Sequence, residues 1–262
     1  MKALVFAAGL GTRLGEYTRN HPKALVKAGG EPMLMRVLRR LADAGVTEVV
    51  VNVHHFAEQI IDYLELHTCD LNMTIKVSHE QDMLLETGGG ILQAVELLAP
   101  DAPFIIHNAD ILTDFSLADM MAAFQAKADC DSMLLVAERE TSRYLLLADD
   151  MRMRGWTNIT TAQLRPASLM SASGLKRRAF GGVHVFSPRL LPVLERYNEL
   201  LRASGAASNR HGICRFSIMD FYIDSCASHA IYGYEPDAPY NWFDIGKPDT
   251  LARADAFFSR SN

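Results

Sequence analysis

Residues 3–14 read ALVFAAGLGTRL: an unbroken apolar run, then at once a loop carrying Gly9, Gly11, Thr12 and Arg13, with Gly15 just beyond. The apolar run reads as a strand buried on both faces, which places the loop at a strand's carboxyl end. Three uses suit a flexible, cationic loop there: a dinucleotide fold, a site for another phosphate, or a tight turn. A dinucleotide fingerprint needs G-x-G-x-x-G, and position 14 is Leu14. The next strand, ending VVVNV, runs into His54 and His55, where a ribose-binding carboxylate belongs. A Walker loop needs Gly-Lys-Ser/Thr, and the stretch has none. What remains is a glycine turn that brings backbone N–H groups close to an anion, with Arg13 beside them. HPKAL (residues 21–25) adds Lys23. Arginine offers a bidentate fork and lysine a mobile point charge, a pair that suits a polyphosphate. On physical grounds alone, solvated loop charges stay open as the other reading.

Outward from this loop, strands and helices alternate. The spacing predicts strands over Ala3–Ala8, Val46–Val53, Met73–Glu80, Ala102–Asp110 and Ser132–Glu138. Between them it predicts helices over Pro32–Ala44, Ala57–Leu66, Gly89–Leu98 and Ser116–Lys127. Such alternation implies right-handed crossovers and an α/β, doubly wound, mostly parallel sheet, which binds ligands at the carboxyl ends of its strands. After residue 139 the pattern loosens. Tyr144–Ala148, Gly181–Ser187 and His229–Glu235 read as strands of mixed orientation, and Pro188–Ala203, Phe216–Asp224 and Pro248–Ser259 as helices. A polar, Met-rich stretch separates the first two of those strands. No repeat or low-complexity linker interrupts the chain, so one domain is expected over 1–262, with halves meeting at 138/139.

Composition bounds the function. The formal net charge of -5 argues against a general nucleic-acid binder. Cys69, Cys130, Cys214 and Cys226 are scattered and form no CxxC pair, which reads as buried free thiols in a reducing compartment. No segment approaches the roughly 20 apolar residues that cross a bilayer, and Gly9 and Arg13 break the apolar start too soon for a secretory signal. A soluble, cytoplasmic protein is expected.

AAGLGTRL followed by HPKALV resembles the signature of the sugar-1-phosphate nucleotidyltransferases, G-x-G-T-R, about ten residues, then P-K. The likeness continues in GEPML (Gly30–Leu34), LETGGGI (Leu85–Ile91), HNAD (His107–Asp110), FGGVHVF and NWFDIGKPDTLARA (Asn241–Ala254). It covers most of residues 1–138 and again 229–259. It implies a Rossmann-like, glycosyltransferase-A-type fold with a mixed sheet, the first half (1–138) binding nucleotide and the second (139–262) the sugar phosphate. It also implies a reaction of an NTP with a sugar 1-phosphate. The nucleophile is then a phosphate oxygen already ionised at neutral pH, so catalysis reduces to positioning and charge neutralisation. This accounts for motifs rich in cations, glycines and aspartates.

The resemblance assigns Arg13 to the β/γ-phosphates and departing pyrophosphate, and Lys23 to the α-phosphate and transition-state charge. Asp110, also catalytic, and Asp244 would hold Mg²⁺, a hard cation suited to carboxylate and phosphate oxygens. Without that context, an aspartate at a strand end is a cap or turn former. Backbone at Ala7, Ala8 and Gly9, with Gly11 and Thr12, would face the nucleotide. Glu86, Thr87 and Gly88 belong to the base-contacting loop, where the glycines would allow close approach to a base or sugar. Thr87 also reads as a helix N-cap, and both readings hold together. Asn108 and Gly182 would lie by the sugar. Asp114 reads as a helix-entry residue, His54 and His55 as surface or loop-packing histidines, and Lys176–Arg178 as a solvated loop.

LETGGGI is closer to the N-acetylmuramate-1-phosphate uridylyltransferase type than to the L-G-T-A-G form common in guanylyltransferases, which favours UTP. The family's E-K-P lysine is not visible, and PASLMSASGLKRRAF stands in its place. Mannose-1-phosphate guanylyltransferase and phosphocholine cytidylyltransferase-like activities therefore stay open. So does a catalytically silent nucleotide-sugar-binding regulator.

Overall fold

In the computed structural model, which describes residues 1–260, β1 (Lys2–Phe6) leads into the glycine loop, and Thr12–Thr18 coils into 3₁₀ turns. A small hairpin of β2 (Lys27–Ala28) and β3 (Glu31–Pro32) precedes α1 (Met33–Asp43). Then come β4 (Glu48–Val53), α2 (Ala57–His67), β5 (Thr74–His79), α3 (Glu86–Leu98) and β6 (Phe104–Asn108). β1 pairs in parallel with β4 and β6, and β4 with β5. β1, β4 and β6 are mostly apolar because helices cover both their faces, whereas β5, at the sheet edge, alternates Ile75 and Val77 with polar residues. Val49, Val51 and Ile105 pack into one core with Leu34 of α1 and Ile60 of α2. Leu4, Val50 and Ile106 point the other way, into a core with Ile91 of α3. The predicted doubly wound arrangement is what forms.

The second half runs β7 (Ile111–Thr113), α4 (Leu117–Gln125), β8 (Ser132–Ala137), β9 (Arg143–Leu147), β10 (Met153–Asn158), β11 (Gln163–Arg165) and β12 (Lys176–Phe186). It closes with α5 (Leu191–Ala203), α6 (Ile218–Ser225), β13 (Ile231–Tyr234), β14 (Trp242–Asp244) and α7 (Pro248–Phe258). The main sheet runs β11-β10-β9-β12-β6-β1-β4-β5, with β8 beside β12 and β13 beside β8. β12 is antiparallel to β6, β8 and β9, so the sheet is mixed where the two halves meet.

β12 is the pivot. Its first residues pair with β9, its last four with β6, and its register against β8 shifts between Phe180 and His184. Gly181 and Gly182 sit at that shift. Gly182 has φ of +74°, and a Cβ there would lie 2.6 Å from Ile111 Cγ1, so only glycine lets the strand bend here.

Three expectations need correcting. Lys176–Arg178 is not a solvated loop: it begins β12, and Arg178 Nε donates to Glu235 Oε2 at 2.9 Å. Residues 153–165, read as part of a polar stretch, form β10 and β11, because Met153, Gly155 and Thr157 are buried in alternation with outward residues. Asp114 does not enter α4. Ser116 caps it, accepting from the Asp119 N–H, while Asp114 accepts two 2.6 Å hydrogen bonds from Asn241 and ties β7 to β14. The cysteines are all free, three of them buried and Cys69 exposed. Among the described residues, no helix is long and apolar enough to cross a membrane.

Candidate active site

The loop after β1 lies at the carboxyl edge of the parallel strands, where β1, β4 and β6 end together. Ala7 N–H donates to Asn52 O and Ala109 N–H to Phe6 O, which keeps the three strand ends in register past their last ladder residues. A cavity of about 340 Å³ opens there, lined by Ala7, Ala8 and Gly9, by Glu86 and Thr87, and by Lys23, Asn108 and Asp110. Nothing lies within 4 Å of a Cβ built on Gly9, so the loop presents bare backbone to this space. Gly11, with φ of +67°, is pressed against Lys23 and Thr18, where a Cβ would come within 2.9 Å of both. That close approach seats the loop against the lysine.

The charged residues gather from four separate segments. Lys23 is nine-tenths buried, and its Nζ donates to Asp110 Oδ2. β7 and β14 pair so that Asp244 faces Ile111, and the Ile245 N–H donates to Asp110 O at 2.9 Å. This short ladder brings Asp110 and Asp244 together although 134 positions separate them (244 − 110). A Cβ on Gly246 would lie 3.0 Å from Arg13 Nη2 and 3.2 Å from Asp244 Oδ1, so the missing side chain lets Arg13 approach the carboxylate. Burial raises the Asp244 pKa, and Asp110 raises it further; Lys23, Arg13 and Arg139 oppose them. Two carboxylates repelling each other in a half-buried place is an arrangement that a cation relieves.

Gly182 joins this group through Asn108, whose Nδ2 would lie 3.2 Å from a Cβ at 182. Thr12 and Arg13 are exposed, and with Gly11 they lie outside the cavity wall itself. Gly88 is placed elsewhere than expected. Its N–H donates to Phe216 O, and a Cβ would lie 2.2 Å from the Phe216 ring. Gly89 is likewise 2.4 Å from Cys214 O by the same construction. These two glycines let α3 pack against residues 214–216, and neither lines the cavity. Thr87 is not the N-cap either: it lies inside the first turn and accepts from the Ile218 N–H, tying α3 to α6. Glu86 adopts φ of +59° at the cavity rim, a strained setting held by Arg215, which donates to its carboxylate at 2.8–2.9 Å.

Sequence reasoning missed several residues. Glu80 is 1% exposed and accepts from Asn52 Nδ2 and the Leu85 N–H, which shapes the chain leading to Glu86. Burial pushes its pKa up and those two hydrogen bonds pull it down. Arg139 stacks 3.4 Å from the Trp242 ring and donates to Phe180 O. A second cavity, about 630 Å³, spreads over β9–β11 and shares Ser217 with the first; Asp244 and Arg165 line it. Arg165 immediately precedes Pro166, so the basic-residue–proline order of E-K-P is kept with arginine in place of lysine. That dipeptide was the available signal.

Residues 2–261 match the family model described as nucleotidyl transferase. The chain belongs to the nucleotidyl transferase family. This family member is 28% identical over 258 residues to an N-acetylmuramate alpha-1-phosphate uridylyltransferase of Caulobacter vibrioides, the match covering 97% of the chain and 95% of the relative. It is 30% identical over 196 residues to a mannose-1-phosphate guanyltransferase of Schizosaccharomyces pombe, covering 74% of the chain but only 52% of that protein. The chain thus spans about half the length of several guanyltransferase relatives. Its fold matches a UDP-glucose pyrophosphorylase crystallised with UDP-glucose, with a TM-score of 0.74 at 16% identity over 100% of this chain and 99% of that one.

Proposed function

We propose that this protein transfers a nucleoside monophosphate from an NTP, with UTP favoured, to a sugar 1-phosphate, releasing pyrophosphate. The observation that carries this is the convergence of Arg13, Lys23, Asp110 and Asp244 beside the cavity of the glycine loop, with a second cavity beginning at Asp244. UTP is supported by the uridylyltransferase relative, which aligns along nearly its whole length.

In this reading a phosphate oxygen of the sugar 1-phosphate forms a bond to the α-phosphorus, and the bond from that phosphorus to the β-phosphate oxygen breaks. The attacking oxygen is already an anion, so the step needs no general base. The bare backbone of Ala7–Gly9 and the Glu86–Thr87 rim receive the base and ribose. Lys23, now held by Asp110, meets the α-phosphate, and exposed Arg13 receives the β- and γ-phosphates and the leaving pyrophosphate. Asn108 and Gly182 lie where the sugar would enter.

Asp110 and Asp244 fit Mg²⁺. Both offer oxygen ligands, and among the described residues no third His, Cys, Asp or Glu joins them as a ready metal group. That is the pattern of an ion completed by substrate phosphates. When bound, Mg²⁺ supplies charge neutralisation of the phosphates. Lys23 bonded to Asp110 supplies part of that charge otherwise. The three buried thiols and an NTP substrate suit the cytoplasm.

The test is Mg²⁺-dependent pyrophosphate release across UTP, dTTP, GTP, CTP and ATP, crossed with N-acetylmuramate, N-acetylglucosamine, glucose and mannose 1-phosphates and phosphocholine. Turnover with UTP and a sugar 1-phosphate is expected. Turnover only with GTP and mannose 1-phosphate would replace the nucleotide assignment. A blank grid with nucleotide still bound would leave a binding protein.

A further inference from the structure

The second cavity is floored by the exposed face of β9, β10 and β11, and cross-strand register sorts its side chains into two rows. Leu145, Trp156 and Arg165 stand opposite one another in the first. Arg143, Asn158 and Gln163 stand opposite one another in the second. The first row is apolar except for Arg165, and that guanidinium is spent: it donates to Asp220 at 2.6 Å and to Asp224 at 3.1 Å. The second row is wholly polar. Arg143 donates its backbone N–H to Thr141 Oγ1, but its guanidinium has no protein partner among the described residues. The cavity therefore has one uncommitted cation, at the end of a row in which Asn158 and then Gln163 follow on the next two strands, two residues along from the Trp156 row.

We propose that Arg143 selects the acceptor, and that the cavity takes a sugar 1-phosphate whose ring carries a carboxylate. This rests on the proposed function and deepens it. The argument is one of charge and shape. The 1-phosphate must lie toward Asp244 and Lys23, where the transfer occurs. Arg165 is shared between Asp220 and Asp224, and Arg178 is held by Glu235, so neither is free for a ligand. Arg143 alone remains to meet a second negative charge. A guanidinium is a planar fork of donors that matches the two in-plane oxygens of a carboxylate, and the Asn158 amide on the neighbouring strand adds a donor beside it. Trp156, half-buried in the neighbouring row, offers a flat apolar surface of the kind sugar rings stack on. A neutral acceptor would leave Arg143 without a partner.

Two matched pairs of acceptors test this, each differing by one carboxylate: N-acetylmuramate against N-acetylglucosamine 1-phosphate, and glucuronate against glucose 1-phosphate. Pyrophosphate release and equilibrium binding of each sugar phosphate are both measured on the wild type, Arg143→Gln and Arg143→Lys. The wild type should favour the acid in at least one pair by roughly ten- to hundredfold in kcat/KM, mostly through KM. Arg143→Gln should bring that ratio toward unity, and Arg143→Lys should restore part of it. Turnover with neutral acceptors at least as good as with acids would overturn the acceptor assignment and leave the nucleotidyl transfer standing. If neither pair turns over while another acceptor of the full grid does, the acceptor assignment falls and the transfer stands. If the whole grid is blank, the transfer reading fails and the binding ratios decide Arg143 separately, equal affinity for acid and neutral sugars overturning it.

Discussion

The cavity beside the glycine loop and the cavity over β9–β11 are gathered in opposite ways. The first is assembled from short contiguous stretches, Ala7–Gly9, Glu86–Thr87 and Asn108–Asp110, each at the carboxyl end of a parallel strand or the start of a helix. The second is assembled across strands, one residue from each of three neighbours, on an antiparallel sheet whose facing side chains belong to different strands and share no contiguous stretch. A site of the first kind writes itself into the chain as a motif. A site of the second kind writes itself only into a register, and a one-residue slip would turn each of its side chains to the other face.

The largest expected effect would break the comparison at its centre. Asp110→Ala and Asp244→Ala should each lower the rate of pyrophosphate release by about a hundredfold or more while leaving a folded protein. Both carboxylates are partly open to solvent and repel each other, so neither should be a main support of the fold. The check is kcat beside a melting curve. Near-normal turnover in either variant would remove that residue from the site.

The second effect separates motif from chemistry within one stretch. LETGGGI reads as a ligand loop, yet Gly88 packs against a ring. Gly88→Ala would set a Cβ 2.2 Å from Phe216, and the overpacking, about 1–3 kcal/mol and at its upper end for so close an approach, should outweigh alanine's gain of about 1 kcal/mol in helix propensity. Melting should drop, and Gly88→Ala with Phe216→Leu should lose less than the sum of the two single changes. Unchanged melting in Gly88→Ala would return Gly88 to the nucleotide.

The legible part of this protein follows from the same distinction. The alternation of apolar runs and amphipathic helices exposed the order of elements in the parallel half and their ends to within about three residues, because a strand covered on both faces carries an apolar run. Lys23, Asp110 and Asp244 could be picked out because each sits in a short stretch of fixed composition. Asp244 could not be paired with Asp110 by spacing, since the β7–β14 ladder that joins them is three residues long. β10 was hidden for another reason: its buried positions include Gly155 and Thr157, which carry little hydrophobic signal. Arg165 was hidden because arginine stands where lysine was sought. Glu80 gave no sign at all, for an isolated carboxylate in a polar stretch looks like surface until Asn52 and Leu85 are seen to point at it.

The smallest effect tests the boundary between the halves. His107 on β6 and His184 on β12 are both fully enclosed near the seam, and burial pulls their pKa values down to about 4 and about 3. Neither ring nitrogen of His184 has a partner, nor has Nε2 of His107, and His184 lies edge-on to Tyr222 with ring centroids 5.6 Å apart. The folded protein therefore keeps both rings neutral, whereas the unfolded chain takes up protons at its ordinary value of about 6.5. With the folded pKa values depressed, the unfolded state binds more protons at every pH between. Stability is full above pH about 6.5 and falls as pH drops toward the folded values, by up to about 1.4 kcal/mol per pH unit for each histidine. Urea unfolding between pH 7.5 and 5 should show that decline, and His184→Phe, which places another ring in an aromatic setting, should roughly halve its slope. An unaltered slope in His184→Phe would remove His184 from the acid sensitivity and leave His107 as the seam histidine to substitute next. Asp244 would not take over that role, since its pKa is raised and its protonation favours the folded state as pH falls, opposing the decline.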